Sequence, residues 1–265
     1  MAQQDFERIR VSKQESRLEI TLDWPERRNA LDYQGWDELN QALDLAAGDD
    51  TCKVVSVTGT DPAFCAGVAF HDIPTSLEIE KTQFPSFIRK WADTADRFER
   101  LAQPTVAAIN GPAVGAGFEV ALAFDIRIAS DRALFAMPQL RMGIIPDVGG
   151  TSRLAKVAGT TLAKDLVLTG RVLSAEEALA AGIVSRIVPH EDLEAETEKI
   201  TALIEELPWP APYFAMVAID SGLQLDPRRA ADLEGIVDQV MLRTDEVWER
   251  IDDFYRSKGL KGLRQ

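Results

Sequence analysis

Two short runs constrain the fold more than any other feature: "KVVSVTG" at residues 53–59 and "TVAAING" at residues 105–111. Both are rich in Val, Ile and Ala with little polar alternation, and both end in Gly. Strands buried on both faces look like this. Between them lies "FPSFIRKWADTADRFERLAQ", with apolar residues at helical spacing. A buried strand, an amphipathic helix and a second buried strand predict a parallel pair, because two parallel strands need a long crossover.

The flanking sequence extends that pattern. "FERIRV" and "LEITLDW" read as paired strands joined by the polar "SKQES", and "DYQGWDELNQALDLAA" repeats apolar residues at helical spacing, which makes a β-β-α unit. "SAEEALAAGIVSRIVP" begins at a capping Ser174 with Glu177 three residues on, and Gly182 stops that helix before another strand. From Asp192 onward nearly everything is helical, including "EDLEAETEKITALIEEL" and "DEVWERIDDFYRSKG". The expected architecture is an α/β body over residues 1–205 and a helical region over 206–265. "IPTSLEIEKTQFP", bounded by Pro74 and Pro85, reads as a mobile loop.

Composition excludes several classes of function. With 265 residues and 46% hydrophobic side chains the chain can bury a large core. Apolar stretches such as "VALAF" fall far short of the ~20 residues that span a bilayer, and "MAQQDFERIR" lacks a signal-peptide core, so the cytoplasm is the expected compartment. The 29 basic and 43 acidic residues leave a net charge of -14, which disfavours nucleic acid and anionic membranes as partners. Local basic groups and helix N-termini can still hold a phosphate-bearing ligand. Cys52 and Cys65 are expected to be free thiols, and His71 and His190 are too few and too distant for a metal site.

Three segments carry chemistry. In "INGPAVGAGFEVALAFD" a strand ends at Asn110-Gly111, and a Gly-Ala-Gly turn opens a helix with one carboxylate, Glu119, among apolar neighbours. A carboxylate there is costly unless it is paired, for example with an Arg, or used. Residues 115, 116 and 117 form the first helical turn, whose N–H groups have no intrahelical acceptor and can point at an oxyanion. Glu119, three positions after Ala116, lies on the same helix face. "GAGFEV" has Val120 where a dinucleotide loop needs Gly, and neither a G-K-[ST] phosphate loop nor a G-x-S-x-G elbow occurs. The second segment, "TGTDPAFCAGVAFHDI", supplies a Cys-Ala-Gly turn, a natural source of a second backbone donor. In the third, "GIIPDVGGTSRL", Asp147 either caps the following helix or does chemistry.

"FCAGVAF", "INGPAVGAGFEVALAFD", "FAMPQLRMGIIPDVGGTSRL" and "LVLTGRVLSAEEALAAGIVSRIVP" together resemble the crotonase (enoyl-CoA hydratase/isomerase) superfamily, in the same order and spacing. The resemblance runs from "RRNALD" to about Pro189 and more loosely through the tail. It implies a spiral of β-β-α units, a C-terminal helical region for trimer formation and for closing the pocket, and an acyl-coenzyme A thioester as ligand with no other cofactor. Carried over, the oxyanion N–H groups fall on Val68 and Ala116, with Gly115 beside them. Arg28 falls on a coenzyme A phosphate contact, and Ala30 and Ala66 along the pantetheine and adenine. Ala69 and His71 stand where relatives often carry Asp and Lys or Arg. Family hydratases use two glutamates, one matching Glu119 and one matching Gln139, which cannot take a proton from water. Asp147 matches the catalytic aspartate of several isomerases.

The resemblance therefore implies an enoyl-CoA or dienoyl-CoA isomerase acting through Asp147 and Glu119, assembled as a homotrimer or a dimer of trimers. The alternatives are an enoyl-CoA hydratase, a hydrolase or dehalogenase in which Asp147 attacks carbon or activates water, and a non-catalytic acyl-CoA-binding trimer. The acyl pocket is expected to use the 71–90 loop and tail residues such as Trp209, Tyr213 and Phe214, although aromatic residues there equally suit the core or a trimer interface, which is the more frequent case.

Overall fold

The computed structural model describes residues 6–69 and 84–261. The chain forms two compact units, Met1–Glu205 and Glu206–Gln265. In the first, β1 (Ile9–Gln14) and β2 (Arg17–Leu22) form an antiparallel hairpin, followed by α1 (Tyr33–Ala47), β3 (Val54–Gly59), α2 (Phe84–Arg100) and β4 (Thr105–Ile109). Next come β5 (Ala113–Val114), α3 (Ala116–Ala121), β6 (Ile126–Ser130) and β7 (Leu134–Ala136). Helix α4 (Gly150–Thr169), β8 (Leu173–Ser174), α5 (Ala175–Ala180), β9 (Arg186–Val188) and α6 (Leu193–Glu205) complete it. The larger sheet has the order β1-β2-β3-β4-β6-β9 and is parallel from β2 onward, while β5, β7 and β8 form a smaller second sheet.

The buried-strand reading of β3 and β4 has a direct cause. Val57 pairs with Ile20 on β2 and Ala107 on β4, and this face packs on Trp36, Leu39 and Leu43 of α1 and Trp91 and Phe98 of α2. Trp36 and Trp91 stack at 5.9 Å between ring centroids. The opposite face presents Val54, Val106, Ala108 and Ile128 to Leu193, Ile200 and Ile204 of α6. With helices on both faces, alternation has nothing to report.

The linker "SKQES" is shorter than its polarity suggests. Strand β1 runs to Gln14, and only Glu15 and Ser16 turn the chain, Glu15 at a φ of 51°. Ser12 pairs with Glu19 and donates to its carboxylate at 3.0 Å, and Gln14 donates to the same carboxylate at 3.1 Å. The polar run is thus the solvated face of a strand pair. Residues 74–83 of the expected loop lie outside the described residues, and Pro85 belongs to the first turn of α2. Ser174 and Glu177 form the expected capping box on α5.

The second unit is helical: α7 (Ala211–Gly222), α8 (Pro227–Met241) and α9 (Asp245–Ser257), with Asp226 capping α8 through the Arg228 and Arg229 N–H groups. Trp209, Tyr213 and Phe214 are half-buried there, the last two in ring contact at 5.3 Å. No helix among the described residues is long and apolar enough to cross a membrane.

Candidate active site

The site is assembled from segments distant in the chain, three of which strand pairing brings side by side. Cys65 forms a parallel bridge with Ala113, and Leu31 forms one with Val68. The Ala66 N–H donates to the Arg28 carbonyl at 3.0 Å, so residues 28–31 lie alongside 65–69. The Val114 N–H donates to the Cys65 carbonyl at 2.9 Å, which sets the second segment against the start of α3. Gly67 completes the junction at a φ of 92°, where an added Cβ would stand 2.7 Å from the Val114 carbonyl and 3.1 Å from the Ala116 nitrogen. Only glycine satisfies both the conformation and the approach.

This arrangement leaves two donors free. Ala116 is the first residue of α3 and Val68 is the bridge residue whose own N–H is not used, and neither donates to an acceptor among the described residues. Gly115 is the N-cap of α3, without a capping side chain. All six residues of α3 are buried, with Phe118 packed on Phe135 at 5.1 Å.

Glu119 is 1% exposed. The ion pair with Arg raised as one explanation is not its partner. The carboxylate instead accepts from the Gln139 side-chain amide at 2.7 Å on one oxygen, and from the Val148 and Gly150 N–H groups on the other, both at 2.8 Å. Burial pushes its pKa from 4.5 to about 7, against the lowering effect of these donors, and the negative charge of Asp147 adds to the rise. Gly150 lets the loop come this close, since a Cβ there would stand 2.4 Å from Glu119 Cγ.

Gln139 is buried, and its Oε1 has no partner among the described residues while its amide group serves Glu119. Asp147 lies at the surface of the chain, with its carboxyl raised above the ordinary range by partial desolvation. It does not cap α4: the N-cap is Gly149, and the side chain that bonds the helix start, at the Gly150 N–H, is that of Glu119. The capping explanation for this residue is thereby removed.

Of the remaining expected positions, Arg28 is exposed in a left-handed conformation with a φ of 52° and makes no ion pair with a described residue. Ala30 and Ala66 are half-buried beside it, and Ala69 is buried behind them, its N–H bonded to the Leu31 carbonyl. His71, and the 71–90 loop up to residue 83, lie outside the described residues. Cys65 and Cys52 are free and buried, and burial pushes the Cys65 thiol up to about 12, which makes it inert. Among the described residues no group of three or more His, Cys, Asp or Glu is placed to hold a metal ion. A separate cavity of about 480 Å³ lies between β2, β3 and the start of α6, and none of the site residues above lines it.

Sequence reasoning missed the Val148 and Gly150 donors. The signal was present for Gly150, the first residue of α4, to which the argument from orphan N–H groups applies equally, but not for Val148, which precedes the N-cap. It also assigned nothing to Arg153, whose partners come from distant parts of the chain.

The family described as enoyl-CoA hydratase/isomerase matches residues 12–254. A probable enoyl-CoA hydratase of Mycobacterium bovis is 32% identical over 219 residues, covering 83% of each chain. The crystal structure of an enoyl-CoA hydratase from Bacillus anthracis superposes with a TM-score of 0.86 at 30% identity, covering 97% of this chain and 98% of that one. A Thermobifida fusca structure described as a putative enoyl-CoA hydratase in complex with CoA gives 0.82 at 26% identity, covering 89% and 93%. The fold, with its sheet of β-β-α units and helical C-terminal unit, is that of the crotonases, and the chain belongs to the enoyl-CoA hydratase/isomerase family.

Proposed function

We propose that the protein binds an acyl-CoA thioester and moves a carbon-bound proton on it, as an enoyl-CoA or dienoyl-CoA isomerase. One observation carries the reading: a fully buried carboxylate, Glu119, poised at about 7 in the helix that begins at Ala116, where the Val68 and Ala116 N–H groups have no acceptor among the described residues. The thioester oxygen accepts from the Val68 and Ala116 N–H groups. These stabilise the enolate formed when the proton leaves, each by about 3–4 kcal/mol in the transition state. Asp147 removes the proton and Glu119 returns one, or the reverse. Two carboxylates in unequal surroundings suit that division of roles. Arg28 meets the coenzyme A phosphates, Ala30 and Ala66 flank the pantetheine and adenine, and Gly115 and Gln139 border the thioester. No cofactor beyond the substrate's own coenzyme A is required. The working form is a cytoplasmic homotrimer or dimer of trimers.

Gln139 separates this reading from simple hydration, since an amide cannot take a proton from water. Hydration or dehydration is the second reading, favoured by the hydratase names of the relatives. Panels of enoyl-, dienoyl- and ring-acyl-CoA thioesters in deuterated water distinguish the two by mass spectrometry. Deuterium incorporation without added water marks the isomerase, and a gain of water marks the hydratase. Asp147→Asn is expected to abolish turnover with coenzyme A binding intact. Unchanged turnover in that variant removes Asp147 from the mechanism.

A further inference from the structure

Arg153 is 6% exposed, although it sits in the first turn of a helix whose neighbours Thr151 and Ser152 are exposed. Its guanidinium works in two directions. Nη1 donates to the Val148 carbonyl at 2.9 Å. Nη2 reaches Asp96 and Glu99 on α2, the latter at 2.9 Å. Gly149, at a φ of 88°, makes room for it, because a Cβ there would overlap Nη1 at 2.0 Å. The backbone so gripped is residues 148–150, whose N–H groups at Val148 and Gly150 both donate to the same oxygen of Glu119 at 2.8 Å. Asp147 is the residue just before.

We propose that Arg153 is a positioning residue for this site: by tying the Val148 carbonyl to Asp96 and Glu99, it holds the 148–150 backbone so that two N–H groups stay on Glu119 and Asp147 keeps its place beside it. A point charge could not do this. The planar fork spans a carbonyl on one side and two carboxylates on the other, a geometry specific to Arg. Asp96 and Glu99 are partly exposed, so the clamp anchors a buried loop to the outer part of α2. The inference rests on the acid/base role of Glu119 proposed above, and its test does not depend on turnover.

The direct readout is the titration of Glu119 by carboxyl ¹³C NMR of glutamate-labelled protein, with Glu119→Gln identifying the resonance. The variants are Arg153→Lys, which keeps the charge without the fork, and Asp96→Asn/Glu99→Gln, which alters only partly exposed anchors and so preserves folding. Donors to the charged form lower a carboxyl pKa, so releasing them moves the Glu119 midpoint upward, by about one unit. With an active substrate, kcat falls by about 10–100-fold while KM changes little, as misplacement of a catalytic group by about 1 Å does. An unmoved Glu119 midpoint in folded Arg153→Lys, or in the double anchor variant, overturns the proposal. A wild-type protein that turns over no thioester overturns the proposed function instead, and leaves the titration to decide the clamp.

Discussion

Glu119→Gln gives a prediction about stability that can be worked through from the structure. The carboxyl is raised from 4.5 to about 7 in the fold. The native state therefore prefers the protonated form, and the stability it contributes is fully present below about 4.5, falls as pH rises, and is gone above about 7. At about 1.4 kcal/mol for each pKa unit, ionised Glu119 costs the fold about 3 kcal/mol, most of which is lost between pH 5 and pH 8. The substitution removes that cost without orphaning its partners. The new carbonyl accepts from the Val148 and Gly150 N–H groups, and the new amide N–H₂ donates to Gln139, whose unpartnered Oε1 becomes an acceptor when that side chain turns over. In thermal melts the variant should gain on the wild type by about 5–10 °C on going from pH 5 to pH 8. A difference in Tm that does not change with pH, or a variant that loses ground as pH rises, refutes the reasoning, because either would mean that Glu119 is not held protonated by burial.

Two further predictions bear on other parts of the molecule. Gly67→Ala forces a side chain into a left-handed conformation 2.7 Å from the Val114 carbonyl and 3.1 Å from the Ala116 nitrogen. It should cost about 1–3 kcal/mol in urea melts and lower kcat by about 100-fold through displacement of the paired donors, and an unaltered kcat would exclude that hole from the mechanism. Ser174→Ala removes the capping box of α5, in which Ser174 Oγ accepts from the Glu177 N–H at 3.2 Å. A loss of about 1 kcal/mol in urea melts with unchanged kcat is expected.

Much of the site is legible in the chain because local chemistry dictates it. A Gly-Ala-Gly turn must begin a helix with free N–H groups, and a lone glutamate three residues later must share their face. Asp147 stands out for its Pro and Gly-Gly neighbours, but its use is not legible: its identity as a cap fails only because Gly149 takes that position in three dimensions. The donors to Glu119 come from residues 139, 148 and 150, far along the chain, and no spacing rule connects them. Arg153 is equally opaque, since its acceptors lie 54 and 57 residues upstream on α2. The polar run before β2 misleads for the opposite reason, because a strand with a solvated face looks locally like a loop.

By itself, then, the order of residues determined the buried strands, the capped helices and the helical C-terminal region, all of which follow from interactions within a few residues of one another. Only tertiary structure decided the electrostatics of the site. Whether Glu119 is charged depends on how completely Phe118, Gln139 and the 148–150 backbone exclude water from it, and on an aspartate brought near by folding. Desolvation is a property of the packed surroundings, and those are assembled from segments that sequence proximity does not join.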